Sequence, residues 1–166
     1  MPVSDPLALP VDAGVLIAIA AAMENWDFLD ALERPIIVTP TVWNEIRRGP
    51  PGSPGAETPT PRCMRVWPDD VSIPAWLLSV LAEGEASVIA LALERGWPEV
   101  AIDEKAGRSV ARTCHLRLTG SLGLLIAAKR RGWPLRMSEA IARIRAANIW
   151  LGALVEQAAL HAAGEI

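Results

Sequence analysis

With 166 residues, 51 % of them apolar and 21 % charged, the chain is long enough for one domain with a sizeable core and too hydrophobic to be disordered. No apolar run reaches the roughly 18 residues of a membrane span, and the apolar stretch 14–23 follows an acid instead of a basic leader, so a cytoplasmic protein without a membrane partner is expected. The net charge of −3 hides an asymmetry: residues 1–104 carry a balance of −10, residues 105–145 one of +9, a layout suited to a bound cation beside a phosphate-binding face.

In chain order, 7–11 (LALPV) reads as a first strand, followed by Asp12 and a helix over 13–23. A second helical piece spans 25–33, with Asn25 as its cap. Residues 35–39 (PIIVT) are β-branched and read as a second strand; Pro40 then opens a short helix that stops at Gly49. The segment 49–62 (GPPGSPGAETPTPR) is a long exposed loop inside a single domain covering 1–166. Helical periodicity returns over 73–96, with a break expected near Gly84. EVAI (99–102) is a third strand, 104–114 a helix, LRLT (116–119) a fourth strand and 121–132 another helix. Ser138 is expected to cap a helix over 138–148, and a last helix runs from about Trp150 to His161. Short apolar strands alternating with helices define an α/β class with a parallel sheet covered on both faces.

In such folds, ligands gather at the carboxyl ends of the strands. Asp12 and Asp103 end the first and third strands, Glu45 lies on the helix after the second, and Glu85 opens the helix before the third. If the strands are neighbours, all four acids share one rim. Two unit charges about 4 Å apart repel by roughly 4 kcal/mol at an effective dielectric of 20, so such a group is stable only with a cation among it. Oxygen-only ligands favour Mg²⁺ or Mn²⁺. Cys63 and Cys114 are too few for a disulfide framework, and with two histidines they argue against a zinc site.

Other residues have plainer readings beside functional ones. Arg108, Arg112, Lys129, Arg130 and Arg131 are candidate phosphate contacts or a solvated basic face. Thr119 and Ser121 sit in a strand-to-helix turn that lacks a Walker ending; they are candidate supporting donors, and Glu104 is a spare acid beside Asp103. Trp97, Trp133 and Trp150, near element ends, are expected to pack; Trp26, Trp43 or Trp76 are candidates for an interface.

The succession DAGVLI, VWNEI, GEASVIALALERG, AIDEKAGRSVA and TGSLGLLIAAKRRG resembles the PIN-domain superfamily over residues 8–165, and within it the predicted nucleic-acid-binding relatives of VapC toxins. The resemblance implies a three-layer PIN-like fold with a central, mostly parallel sheet of four to five strands flanked by helices. It implies a Mg²⁺- or Mn²⁺-dependent endoribonuclease acting on single-stranded or structured RNA, toxin-like, with an antitoxin protein as a partner and a homodimer as its assembly. It places Asp12, Glu45, Glu85 and Asp103 in catalysis, with Asp12, Glu85 and Asp103 on the metal. The chain departs from toxin-type relatives at Ala13, where they carry Thr or Ser, and at Glu85, where they carry aspartate. A PIN-fold module that has lost catalysis and binds RNA or a protein is therefore the alternative.

Overall fold

The computed structural model describes residues 5–166. Five short strands, β1 (Leu9–Pro10), β2 (Ile36–Val38), β3 (Met64–Val66), β4 (Glu99–Ala101) and β5 (Arg117–Thr119), run parallel. One ladder joins β1, β2 and β3 and another joins β4 and β5. A single parallel bridge, Val11 to Ala101, connects the two into the order β3-β2-β1-β4-β5.

Pro10 explains why that seam is so short. The amides of Leu9 and Val11 donate toward β2, to Pro35 and Ile37, while that of Asp12 donates toward β4, to Ala101, at 3.0 Å. By alternation the nitrogen of Pro10 faces β4, and it has no proton to give. The seam therefore closes only at Val11 and Asp12, just beyond β1. There the chain, having built outward from β1 to β3, returns to build β4 and β5 on the other side. This reversal of strand order is the topological switch point, where the loops on either side part and leave a crevice.

The helices are α1 (Ala13–Met23), α2 (Pro40–Arg47), α3 (Ala75–Leu78), α4 (Glu83–Arg95), α5 (Lys105–Thr113), α6 (Ser121–Arg130), α7 (Met137–Ala146) and α8 (Ala153–Ala162). One group gathers α1, α6, α7 and α8; the other collects α2, α3 and α5 around α4, which also lies on β1 and β4. All three residues of β2 are buried, as are Leu9, Val100 and Ala101, which is why the inner strands read as continuous apolar runs. None of the helices among the described residues is long and apolar enough to cross a membrane.

Several expectations are corrected. Residues 25–33 form a 3₁₀ helix (Asp27–Leu32), with Asn25 Oδ1 accepting from the Asp27 amide at 3.0 Å just ahead of it. The strand β3 was not anticipated: two of its three residues are exposed, so it lacks an apolar signature. The helical break falls at 79–82, and Gly84 sits inside the first turn of α4. Ser138 is not the cap of α7; it lies in the first turn, where Glu165 accepts from the amides of Met137 (2.5 Å) and Ser138 (3.1 Å) and from the Ser138 hydroxyl (2.7 Å). Trp26 is fully buried, donating from Nε1 to the Leu16 carbonyl at 2.8 Å, and so cannot serve an interface. Trp150 lies outside α8 and is 86 % exposed, so it does not pack as expected.

The proline-rich segment is pinned by Arg47. Its guanidinium lies 4.1 Å from the Trp43 ring centre and 5.9 Å from that of Trp26, and it donates to the carbonyls of Ala56 (2.9 Å) and Thr58 (2.7 Å). Charged hydrogen bonds of this kind contribute about 1.5–3 kcal/mol and cation–π contacts about 0.5–2. Arg47→Ala is expected to destabilise the fold by about 2 kcal/mol and to make 49–62 the first segment cut in limited proteolysis. Denaturant unfolding and mapping of the first cleavage check this.

Candidate active site

At the switch point, Asp12 follows β1, while Asp103 and Glu104 follow β4. Asp12 is only 4 % exposed, and its side chain makes no capping hydrogen bond to α1. Burial, with the carboxylates of Glu85 and Glu45 adding to it, pushes its carboxyl up to about 7 against the lowering pull of the Ala13 and Gly14 amides. Glu85, in the first turn of α4, is raised by burial and then by Glu104 and Glu45. One of its oxygens, Oε2, is buried without a hydrogen-bond partner. Asp12 thus feels the charge of Glu85 and Glu45, and Glu85 that of Glu104 and Glu45.

Two glycines make room for this gathering. A Cβ on Gly84 would stand 2.6 Å from Glu45 Oε2, and one on Gly107 would stand 2.6 Å from Glu85 Oε2 and 2.8 Å from the buried Ile102. A side chain at either position would push a carboxylate out of place. The two cases differ in cost: Glu45 can swing away, whereas Ile102 cannot. Gly84→Ala is therefore expected to leave the thermal midpoint unchanged or raised, since alanine favours a helix over glycine by about 1 kcal/mol. A thermal melt of each protein checks this.

A buried hydroxyl chain fixes the two elements carrying Glu45 and Glu85. Ser87 Oγ donates to the Gly84 carbonyl at 2.6 Å, so it accepts from Thr39 Oγ1 at 2.7 Å, and Thr39 Oγ1 in turn accepts from the Val42 amide at 3.2 Å. The last of these caps α2, and the first two tie the start of α4 to it. Neither Thr39 nor Ser87 stood out in the sequence, where single hydroxyls carry no pattern.

Asp103 lines the adjoining cleft beside Glu104 and has a partner of its own. Its Oδ1 accepts from the Ser121 amide at 2.9 Å, at the start of α6, and it lies so close over Gly120 that a Cβ there would collide with it. It is Glu104, one residue on, whose charge reaches Glu85. Arg108 donates to the carbonyls of Ile102 (2.7 Å) and Thr119 (3.2 Å), clamping the ends of β4 and β5. Lys129 pairs with Glu165 at 3.0 Å and Arg131 with Glu33 at 3.2 Å. Arg112 and Arg130 are exposed and make no ion pair among the described residues. Ser121 Oγ is buried without a partner, and Thr119 lines the same cleft.

That cleft has a volume of about 890 Å³ and is bounded by Gly14, Asp103, Glu104, Lys105, Arg112 and Trp150 among others. No group of three or more His, Cys, Asp or Glu side chains among the described residues is arranged as a finished metal-binding set. The donor chemistry nevertheless fits a hard divalent cation: every candidate is a carboxylate, one oxygen is buried and unpartnered, and burial holds two of the acids against ionisation.

A parallel α/β sheet with acids at its switch point has them where open sheets of this kind bind their ligands. Residues 10–165 match the model of the DUF3368 family, described as a PIN domain, and the chain belongs to that family. A PIN domain is a nuclease-type fold, and PIN domains generally use divalent metal ions and commonly bind RNA. Neither a curated protein nor a solved structure matches the chain.

Proposed function

We propose that this PIN domain is a divalent-cation-dependent endoribonuclease whose reacting centre is the group Asp12, Glu45, Glu85 and Glu104. The observation that carries the proposal is the buried, unpartnered Glu85 Oε2 beside Asp12, two acids that destabilise each other unless positive charge arrives. These four side chains would hold Mg²⁺ or Mn²⁺. When bound, the ion supplies a Lewis acid that stabilises charge developing on a phosphodiester.

The chain's own groups do the rest. Asp12, rigid and buried, forms the floor of the site, while the exposed Glu45 and Glu104 turn toward it to complete the set. Asp103, expected on the metal, is assigned a positioning role: its bond to the Ser121 amide holds the start of α6 against β4. Arg108 supports the same rim through carbonyls, so of the basic candidates Arg112 is the one left to meet a phosphate in the cleft. A toxin-like role, with an antitoxin partner and a homodimer, belongs to the same proposal and rests on the likeness to VapC relatives.

The absence of a finished three-acid set among the described residues favours a second reading, a PIN module that binds RNA without cutting it. Cleavage of single-stranded RNA in Mg²⁺, compared between wild type and Glu85→Gln, separates the two. Metal-dependent cleavage lost in the variant supports the nuclease. Equal residual cleavage in both proteins, or binding without cleavage by the wild type, overturns it.

A further inference from the structure

We infer that Trp150 is a base-stacking platform: the cleft beside the acids takes an unpaired nucleobase against this indole while Arg112 and Lys105 meet the adjoining phosphates. This deepens the nuclease reading and rests on it. Tryptophan is seldom left 86 % exposed unless something covers it. The edge of the ring lies over Gly152, close enough that an added Cβ there would touch Cη2 at 3.4 Å, while the rest of the indole stands open to the cleft.

The loop presenting it is short and tied at both ends. The Ile149 amide donates back to Ile144 at 3.2 Å, ending α7, and the Glu156 amide donates to Gly152 at 3.0 Å, starting α8. Arg145 and the buried Glu156 form an ion pair across it. An aromatic ring carried on a loop tied at both ends meets a flat ligand at a reduced ordering cost.

The surroundings choose the ligand. The same cleft carries Lys105 and Arg112 and reaches Gly14 and Glu104 beside the acid group. An unpaired nucleotide needs one apolar plane for its base and a cation for its phosphate, and stacking on an aromatic ring serves any base. Inside a duplex both faces of each base are covered by its stacked neighbours, so an unpaired strand offers the platform far more free faces than a duplex does. Leu154 and Val155, exposed on α8 near Trp150, make a second copy of the chain the rival occupant.

The test measures binding of a fluorescein-labelled single-stranded oligoribonucleotide, and of the same strand annealed to its complement, with Mg²⁺ present. The Glu85→Gln protein serves as the non-cleaving background, with Trp150→Ala and Trp150→Phe added to it. Trp150→Ala is expected to weaken single-strand binding about tenfold and duplex binding little, and Trp150→Phe to keep most of the affinity. Unchanged single-strand affinity in Trp150→Ala overturns the platform, and does so decisively if sedimentation shows that the same change splits a dimer. RNA cleavage by wild type and by the single Trp150→Ala variant, run in parallel, separates the two proposals. Wild-type cleavage with unaltered binding in the variant defeats the platform alone, whereas a wild type that neither binds nor cuts RNA defeats both.

Discussion

Asp12→Asn is expected to stabilise the metal-free protein at pH 8 while abolishing its response to Mg²⁺. The sign follows from linkage. Asp12 in the fold holds its proton up to about pH 7, against 3.8 for an ordinary aspartate, so the folded state binds more protons than the unfolded chain between those values. Stability is therefore fully present below pH 3.8 and is lost progressively as pH rises through 7. Each pKa unit is worth about 1.4 kcal/mol, which puts the whole effect on the order of 4 kcal/mol. Asparagine has no proton to lose and escapes the penalty. For a chain of this size each kcal/mol moves the midpoint by about 2–4 °C, so the variant should melt on the order of 10 °C above the wild type in EDTA at pH 8, and close to it at pH 4. Mg²⁺ should raise the wild type by mass action and leave the variant unmoved. Thermal melts at both pH values, with EDTA and with Mg²⁺, check all four arms.

Glu85→Gln is expected to remove cleavage almost entirely. A cation stabilises transition-state charge by several kcal/mol, so losing the carboxylate that helps to hold it should cost on the order of a thousandfold in rate. The fold should survive, because Glu85 Oε2 has no partner to forfeit and the neutral amide relieves the repulsion from Glu104 and Glu45. Asp103→Asn serves as the contrast. Its oxygen can still accept from the Ser121 amide, so its cleavage should fall by less than tenfold. Initial rates on one RNA, at one Mg²⁺ concentration, compare the three proteins; a larger loss in Asp103→Asn than in Glu85→Gln would return Asp103 to the metal.

The α/β alternation, the inner strands and the positions of Asp12, Glu45 and Glu85 were legible in the sequence, because buried parallel strands are apolar without interruption and an acid at the end of one stands out. The partners of the two neighbouring acids Asp103 and Glu104 were not. Both leave the same strand end, and only the folded chain brings the first amide of α6 to Asp103 and the charge of Glu104 to Glu85. The strand β3 was hidden by its exposure, and the Pro10 seam by the fact that a proline in so short a strand reads as its end. The exposure of Trp150 was hidden because the sequence places it at a helix start, whereas α8 begins three residues later and the indole stands on the loop before it. The hydroxyl pair Thr39 and Ser87, 48 residues apart, has no local signal at all.

The family membership and the sheet order are settled by the chain itself; the cation is the point on which the functional reading turns. Calorimetric titration of Mn²⁺ into the wild type and Asp12→Asn at pH 8 addresses it most directly. The account predicts one saturable site in the wild type, with proton release that shrinks as the buffer pH is raised above 7, and no site in the variant. A wild type that takes up no Mn²⁺, or a variant that binds it as tightly, would contradict the account.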